Sequence, residues 1–494
     1  MTQPRSHAPR VGPAVVMLAF VGLAILSGLA SAVLPGSFIF ALLLVPAVAT
    51  LALVRPEYAL AACLALVYGL IHPMLVPRLP VFGGALAAAD AVLVLLVCYV
   101  AWVLATQRGP TPAAPVAGAR LVGGSLALFS VWFVLAVLFS LTMREIAPAR
   151  VLGETRDLMY AAVLPLAVVI LREQQRQERF VIALVVLGSL FSLGQLAQGL
   201  FGIPVFGTSG ISNLETLGFR EYSTTRSNTN GLSVIIFALF LTIGAHALGV
   251  LRRGLFLPLF GLLTMGILLT YGRTTFATVV LCLLVLMAWL NLKALPRLAA
   301  VSAVFLLVVA ALGYAFKPAS IEALVFRLTS VSEELRHGHS ANFRYQEVDA
   351  MLPHIAQHPL TGLGLGADYK GLSGSSVRDD LNRYVHNAYL YMAGKMGVPA
   401  LLLYLLMMVA ILILGRRLAK SDAPPWVRVV GAASAVMMIR FWVSSITEPH
   451  LMSDHGVATI AVCGALVLLA ARRASAAPPR PAARSRLVVA GRPR

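Results

Sequence analysis

The stretch Arg383-Tyr-Val-His-Asn-Ala-Tyr-Leu-Tyr-Met-Ala-Gly-Lys-Met-Gly397 runs straight into Val398-Pro-Ala-Leu-Leu-Leu-Tyr-Leu-Leu-Met-Met-Val-Ala-Ile-Leu-Ile-Leu-Gly415. The second part is an apolar run that ends on Arg416 and Arg417. A bilayer core is crossed by about 20 apolar residues in helical form, so this run reads as a membrane span. The first part sets an imidazole, His386, and a side-chain amide, Asn387, at the mouth of that span. Gly397 and Pro399 mark a bend between the two.

The same pattern recurs outward in both directions. Apolar runs occupy 14–34, 36–54, 57–77, 83–105, 121–142, 158–171, 180–202, 230–250, 254–270, 274–292, 298–315, 397–415, 427–446 and 455–471. The composition agrees: 59% of the 494 residues are hydrophobic and 12% charged, against about 25% charged in a soluble domain. A soluble globular protein is excluded. The expected fold is all-α, a polytopic transmembrane helix bundle of about twelve to fourteen spans with a helical extracytoplasmic cap. Its parts are a cytoplasmic N-terminus (1–13), a bundle (14–315), a large outer loop (316–384), C-terminal spans (385–471) and a disordered basic tail (472–494).

The net charge of +19 would suggest a nucleic-acid partner in a soluble protein. Here the basic residues sit in short gaps between apolar runs, where they report orientation, and no nucleic-acid partner is expected. With the N-terminus in the cytoplasm, the inner loops collect Arg108, Arg120, Arg172, Arg176, Arg179, Arg252, Arg253, Lys293, Arg297, Arg416, Arg417, Lys420 and Arg428, together with the Arg-rich tail. The positive-inside rule then puts both termini in the cytoplasm. The run at 14–34 is too long for a signal-peptide core and reads as an uncleaved span. Cys63, Cys98, Cys282 and Cys463 all fall inside apolar runs and read as small hydrophobes rather than disulfides or metal ligands.

Two outer segments are long, 203–229 and 316–384. In the second, Ile321, Leu324, Val325, Leu328, Val331 and Leu335 repeat every three or four residues, which predicts an amphipathic helix over 320–336. A second helix is expected to start at an Asn342 cap, with Pro353 kinking it and Pro359 ending it. Gly362, Gly364 and Gly366 follow. Without a surrounding strand–helix unit this GxGxG is not a dinucleotide motif; it reads as a tight turn packed on the membrane surface. His354 and His358 have the spacing of zinc-protease ligands, but Ile355 stands where that chemistry needs Glu. A metal site using His337 and His339 as well is conceivable, yet no metal and no cofactor is expected. Adjacent Asp379 and Asp380 read as a solvated turn.

The outer side also carries Arg220, Arg226, Arg273 and Arg344, and Glu347, three residues after Arg344, is placed to hold it. Taken singly, these arginines read as interfacial or surface charges, and His386 as an interfacial histidine. Together they suit an anionic lipid head group: guanidinium forks bind diphosphate bidentately, and a histidine that titrates near neutrality is a natural general base. Two ionisable residues fall within spans, Asp90 and Arg440. Arg440 either pairs with Asp90 or lines a cavity.

Several of these motifs resemble the O-antigen ligase and O-antigen polymerase superfamily. They are Arg344-Tyr-Gln-Glu-Val-Asp-Ala-Met-Leu, then His358-Pro-Leu-Thr-Gly-Leu-Gly-Leu-Gly366, then His386-Asn-Ala-Tyr-Leu with Gly397. Upstream, Arg226-Ser-Asn-Thr-Asn230-Gly231 and Thr270-Tyr-Gly-Arg273-Thr are similar to motifs at span ends in that family. The resemblance covers roughly residues 190–415. It implies a metal-independent, inverting glycosyltransferase of the bacterial inner membrane. Such an enzyme moves a glycan from a polyprenyl-diphosphate carrier to a hydroxyl on a glycan, a lipid A core or another acceptor, at the periplasmic face. By this analogy His386 takes the acceptor proton and Arg273 and Arg344 hold the diphosphate. Asn387, Tyr389, Asn230, Arg226, Arg220 and Glu347 would shape the site. The competing class is a transporter or flippase of lipid-linked glycan; no internal repeat supports it.

Overall fold

The computed structural model describes residues 46–71, 79–81, 84–106, 117–201, 205, 210–213, 225–329, 339–370 and 383–476. The span expected at 14–34, most of that at 36–54 and the tail from 477 lie outside the described residues. Residues 46–54 are helical, followed by α1 (Pro56–Val67), α2 (Ala88–Thr106), α3 (Ala117–Thr142), α4 (Pro148–Met159), α5 (Val163–Ile170) and α6 (Gln174–Phe201). Then come α7 (Leu232–Ala247), α8 (Arg253–Leu268), α9 (Arg273–Leu290) and α10 (Leu295–Phe316). The outer segment contributes α11 (Pro318–Thr329) and α12 (His339–Gln357), and the chain closes with α13 (Ala388–Met396), α14 (Val398–Ala419), α15 (Pro425–Ser444) and α16 (Asp454–Ala476). Among the described residues, 8 helices are long and apolar enough to cross a membrane, and α1, α7 and α8 are shorter apolar helices.

The protein is an all-α polytopic bundle, with two short antiparallel strand pairs added. Strand β1 (Leu79–Val81) pairs with β2 (Gly84–Leu86), and β3 (Gly210–Asn213) pairs with β4 (Thr225–Asn228). The first pair stands where the sequence predicts the end of one span and the start of the next. Helix α1 stops at Val67, ten residues before that expected end, and Gly69 turns the chain at φ +74. Beyond it Pro80 stands in β1.

Packing sorts the helices by depth. Helix α7 is buried on every side from Leu232 to Gly244, as expected of a helix that is apolar all round. Helices α15 and α16 are also largely buried, whereas α10 has no fully buried residue and touches the core along one side only, through Leu298, Val301 and Phe305. Small residues set the closest approaches. A Cβ on Gly415 would meet the Gly431 carbonyl oxygen at 2.5 Å, and one on Gly188 would meet the Ala238 Cβ at 2.7 Å. Membrane helices gain van der Waals contact in this way, since water does not drive them together.

These contacts fix the relative directions. Gly244, late in α7, lies against Leu290 at the end of α9 and Val429 at the start of α15. Arg440, late in α15, reaches Ser233 at the start of α7. The starts of α7 and α9 and the end of α15 therefore share one end of the bundle. The opposite end carries Arg252, Arg253, Lys293, Arg297, Arg416, Arg417 and Arg428.

The expected bend between His386 and the following span is present. Asn387 caps α13, and its side-chain oxygen accepts from the Tyr389 and Leu390 amides at 3.0 and 3.2 Å. Gly397 separates α13 from α14 at φ 85, ψ 164, a backbone region essentially reserved for glycine, and Pro399 stands in the first turn of α14. The glycine strip packs here too. Leu363 and Gly364 donate to the Gly394 and Lys395 carbonyls at 2.7 and 3.1 Å, and all three strip glycines have positive φ. The strip is thus the tight turn the sequence suggests, seated on the end of α13. Lys395, fully buried, pairs with Glu154 of α4 at 2.9 Å, and the other Glu154 oxygen accepts the Gly366 amide at 2.8 Å.

A Cβ on Gly397 would stand 1.9 Å from the Leu360 carbonyl oxygen. Gly397→Ala should therefore lower stability by at least about 3 kcal/mol, read as a thermal midpoint in detergent. A midpoint equal to that of the wild type would show that the break tolerates a side chain.

Candidate active site

The first turn of α13 is held rigidly. The Ala388 amide donates to the Ser445 carbonyl at 2.9 Å, and the Tyr389 hydroxyl donates to the Trp442 carbonyl. His386 is thereby fixed one residue before the helix cap, against the end of α15. Its Nδ1 lies 2.9 Å from Glu347 Oε1, and its backbone amide donates to Glu347 Oε2 at 3.0 Å. Glu347 comes from α12, whose Met351 packs over Gly394 of α13. The Glu347 side chain is 2% exposed and that of His386 is 32% exposed. A buried carboxylate is retained where hydrogen bonds satisfy it, and here one residue takes both oxygens. The Tyr384 ring meets the imidazole edge-on, with centroids 5.0 Å apart.

An acceptor carboxylate on Nδ1 calls for the proton on that nitrogen and sets the lone pair of the neutral ring on Nε2. His386 thus has the arrangement of a general base oriented by a carboxylate.

His386 opens on a cleft of about 460 Å³, within the range of small-molecule sites. Arg344 and Tyr384 share its wall, and Asn230 and Ser233 at the start of α7 contribute to it. Among the residues predicted for the site, the structure therefore brings His386, Arg344 and Asn230 together, with Glu347 behind His386. Glu347 serves His386, whereas the sequence pattern assigned it to Arg344; one helical turn brings the two into range, but the carboxylate points to the ring. Asn387 and Tyr389 hold the backbone beneath His386 and do not line the cleft. Arg273 opens α9 at the same end of the bundle, outside the cleft lining. The turn before it is anchored by Tyr271, at φ 49, packed on Ala323 of α11. Arg226 lies in β4, where only the backbone is described, and Arg220 lies outside the described residues.

Glu448, His450, Ser453 and His455 form a further part of the wall. The sequence reading passed over them as a short connection between spans. His450 Nε2 is 2.7 Å from Glu448 Oε2, and His455 Nδ1 is 3.1 Å from Asp454 Oδ1. Burial pushes the His450 imidazole below its ordinary pKa, with Glu448 opposing. The available signal was the density of ionisable residues in Thr447-Glu-Pro-His450 and Ser453-Asp-His455, in a loop only a few residues long.

The other candidates resolve differently. His354 Nε2 is 3.1 Å from the Tyr369 carbonyl oxygen, so that ring serves the loop fold. His337, Asp379 and Asp380 lie outside the described residues, and no group of three or more His, Cys, Asp or Glu is placed to hold a metal among the described residues. Asp90 sits in the first turn of α2 and pairs with Arg156 at 2.9 Å and the Tyr160 hydroxyl at 2.7 Å. It is not the partner of Arg440. All four cysteines are free, and three are buried.

Residues 258–405 match the O-antigen ligase family model. The matched region contains Arg273, Arg344, Glu347 and His386, but not the Arg226–Gly231 motif on which the resemblance also rests. Asn230 and the Glu448–His455 wall lie outside it. No curated protein matches the chain. The O-antigen ligase match, on a multi-pass membrane bundle, supports a glycan-transferring protein of the ligase or polymerase kind.

The cap at Asn387 is separable from chemistry. Asn387→Ala should cost about 0.5–2 kcal/mol, whereas Asn387→Ser, which keeps a capping oxygen, should cost about half as much or less. Equal thermal midpoints for the two variants would rule out capping as the role of this side chain.

Proposed function

We propose that the protein is a metal-independent, inverting glycosyltransferase that moves a glycan from a polyprenyl-diphosphate carrier to an acceptor hydroxyl at the periplasmic face of the bacterial inner membrane. The observation that carries this reading is the Glu347–His386 pair opening on a cleft shared with Arg344. Nε2 of His386 takes the acceptor proton as the oxygen attacks the anomeric carbon. Glu347 keeps the ring in the required tautomer and stabilises the imidazolium that forms. As the glycosidic bond breaks, the electron pair passes to the diphosphate. Arg344 offsets this charge, a role fixed cations can fill in place of a metal. Arg273 is assigned to the diphosphate by the family resemblance and stands at the same end of the bundle. The asymmetry of basic residues supports a cytoplasmic position for the opposite end.

A ligase and a polymerase share this donor chemistry and differ in the acceptor. Both would follow the same first test, glycan transfer from lipid-linked donor in proteoliposomes. His386→Ala should abolish transfer with normal expression and insertion, and Glu347→Gln should lower kcat by about 10²–10⁴-fold. Full activity in His386→Ala would sink the assignment.

The same assay run with a chelator should keep its full rate. A loss restored by a divalent ion would replace the arginine-based mechanism with a metal-based one.

A further inference from the structure

Arg440 is 1% exposed in α15, and it is among the largest fully buried side chains of the protein. A guanidinium at such depth is costly unless it is paired. Among the described residues its polar contact is a single hydrogen bond, Nη1 to Ser233 Oγ at 3.0 Å, and its Nε is buried with no hydrogen-bond partner. It also lies near the Phe441 ring, 5.0 Å from the centroid. Glu448 on the cleft wall exerts an opposing charge on it, but among the described residues no ion pair joins the two. The fold therefore carries a cation for which its own contacts give poor compensation.

Its one partner explains where that charge acts. Ser233 lines the cleft from the first turn of α7. A hydroxyl has one proton and two lone pairs, and a guanidinium only donates. Ser233 therefore accepts from Arg440 and keeps its own proton to donate. A donor polarised by a neighbouring cation is stronger than a neutral one. It also stands at the amino end of a buried 16-residue helix, where the backbone dipole favours negative charge.

We propose that Arg440, acting through Ser233 at the start of α7, forms an anion subsite in the floor of the cleft that takes a phosphate oxygen of the donor's diphosphate. Arg440 is a positioning residue and Ser233 is the group that touches the ligand. This rests on the diphosphate donor proposed above and adds a cation that neither the loop arginines nor the matched family region supplies. Arg440 is retained for the ligand at the expense of the fold, which separates this role from a structural one.

The test uses the full chain purified in detergent, with inorganic diphosphate as the probe and glucuronate and sodium chloride at matched ionic strength as controls. The wild type should bind diphosphate measurably in calorimetry. Ser233→Ala and Arg440→Met should each weaken binding about 10- to 100-fold, the range for one charge-assisted hydrogen bond. The double variant should be no weaker than Ser233→Ala alone, because the two act as a unit. Without ligand, Arg440→Met should melt at the wild-type temperature or a few degrees above it, since removal of a poorly paired buried charge is neutral or stabilising. In the transfer assay both single variants should raise KM for the lipid-linked donor more than they lower kcat. Unchanged diphosphate affinity in Ser233→Ala would overturn the subsite, and so would additive losses in the double variant. Equal binding of glucuronate would overturn its assignment to phosphate. If Arg440→Met does not yield folded protein, the arginine is structural and the proposal fails for Arg440, while Ser233→Ala still decides whether the hydroxyl binds the anion. His386→Ala should bind diphosphate normally. Its transfer activity therefore reports on the glycosyltransferase reading and its diphosphate binding on the subsite.

Discussion

The carboxylate of Glu347 ties the candidate site together. It is almost entirely removed from solvent, and His386 occupies both its oxygens, one through the ring and one through the backbone amide. Loss of either contact would leave one buried carboxylate oxygen without a partner, at a cost of about 1–3 kcal/mol. The pair therefore fixes more than a tautomer. It locks α12 of the outer segment to the entrance of α13, and through the Ser445 and Trp442 carbonyls it locks that entrance to the end of α15.

Around this pair, polar contacts do what the apolar surface cannot. In lipid the apolar faces of helices have little preference for one another, so the site end is organised by specific bonds. Lys395 and Glu154 join α13 to α4, and Gly366 joins the same carboxylate from the glycine strip. Asp90, Arg156 and Tyr160 join α2 to α4 and its continuation. The opposite end carries many arginines, one of which, Arg179 of α6, pairs with the buried Glu57 of α1 at 3.3 Å. The candidate site thus sits at one end of the bundle, and the basic residues that report orientation sit at the other.

Much of this was legible in the sequence because it depends on local order. Apolar run length located α3, α6, α8, α9, α10 and α14 to α16 within a few residues, and Gly397 and Pro399 located the break. His386 and Arg273 stand out because a polar interruption at a span end is costly without a use, and Arg344 because it joins them on the outer side. What stayed hidden depends on distance in the chain. Glu347 and His386 are 39 residues apart, Lys395 and Glu154 are 241 apart, and Arg440 and Ser233 are 207 apart. No local pattern encodes those pairs, so the sequence offers Glu347 to its helical neighbour and leaves Arg440 open between Asp90 and a cavity wall. The wall from Glu448 to His455 was missed for another reason: hydropathy treats a short loop as a connection, whatever its side chains.

Helix α13 is bounded at both ends by residues that admit no slippage, the Asn387 cap and the Gly397 break. Its nine residues rise about 13 Å. It therefore works as a spacer of fixed length between the top of α14 and the imidazole. One residue inserted in it would lift His386 by about 1.5 Å and swing it by about 100° around the helix axis. The ring would then face away from Glu347, and the Ala388–Ser445 and Tyr389–Trp442 bonds would be displaced with it. The candidate base is thus indexed by helical phase, and the length of one short helix sets where its imidazole stands.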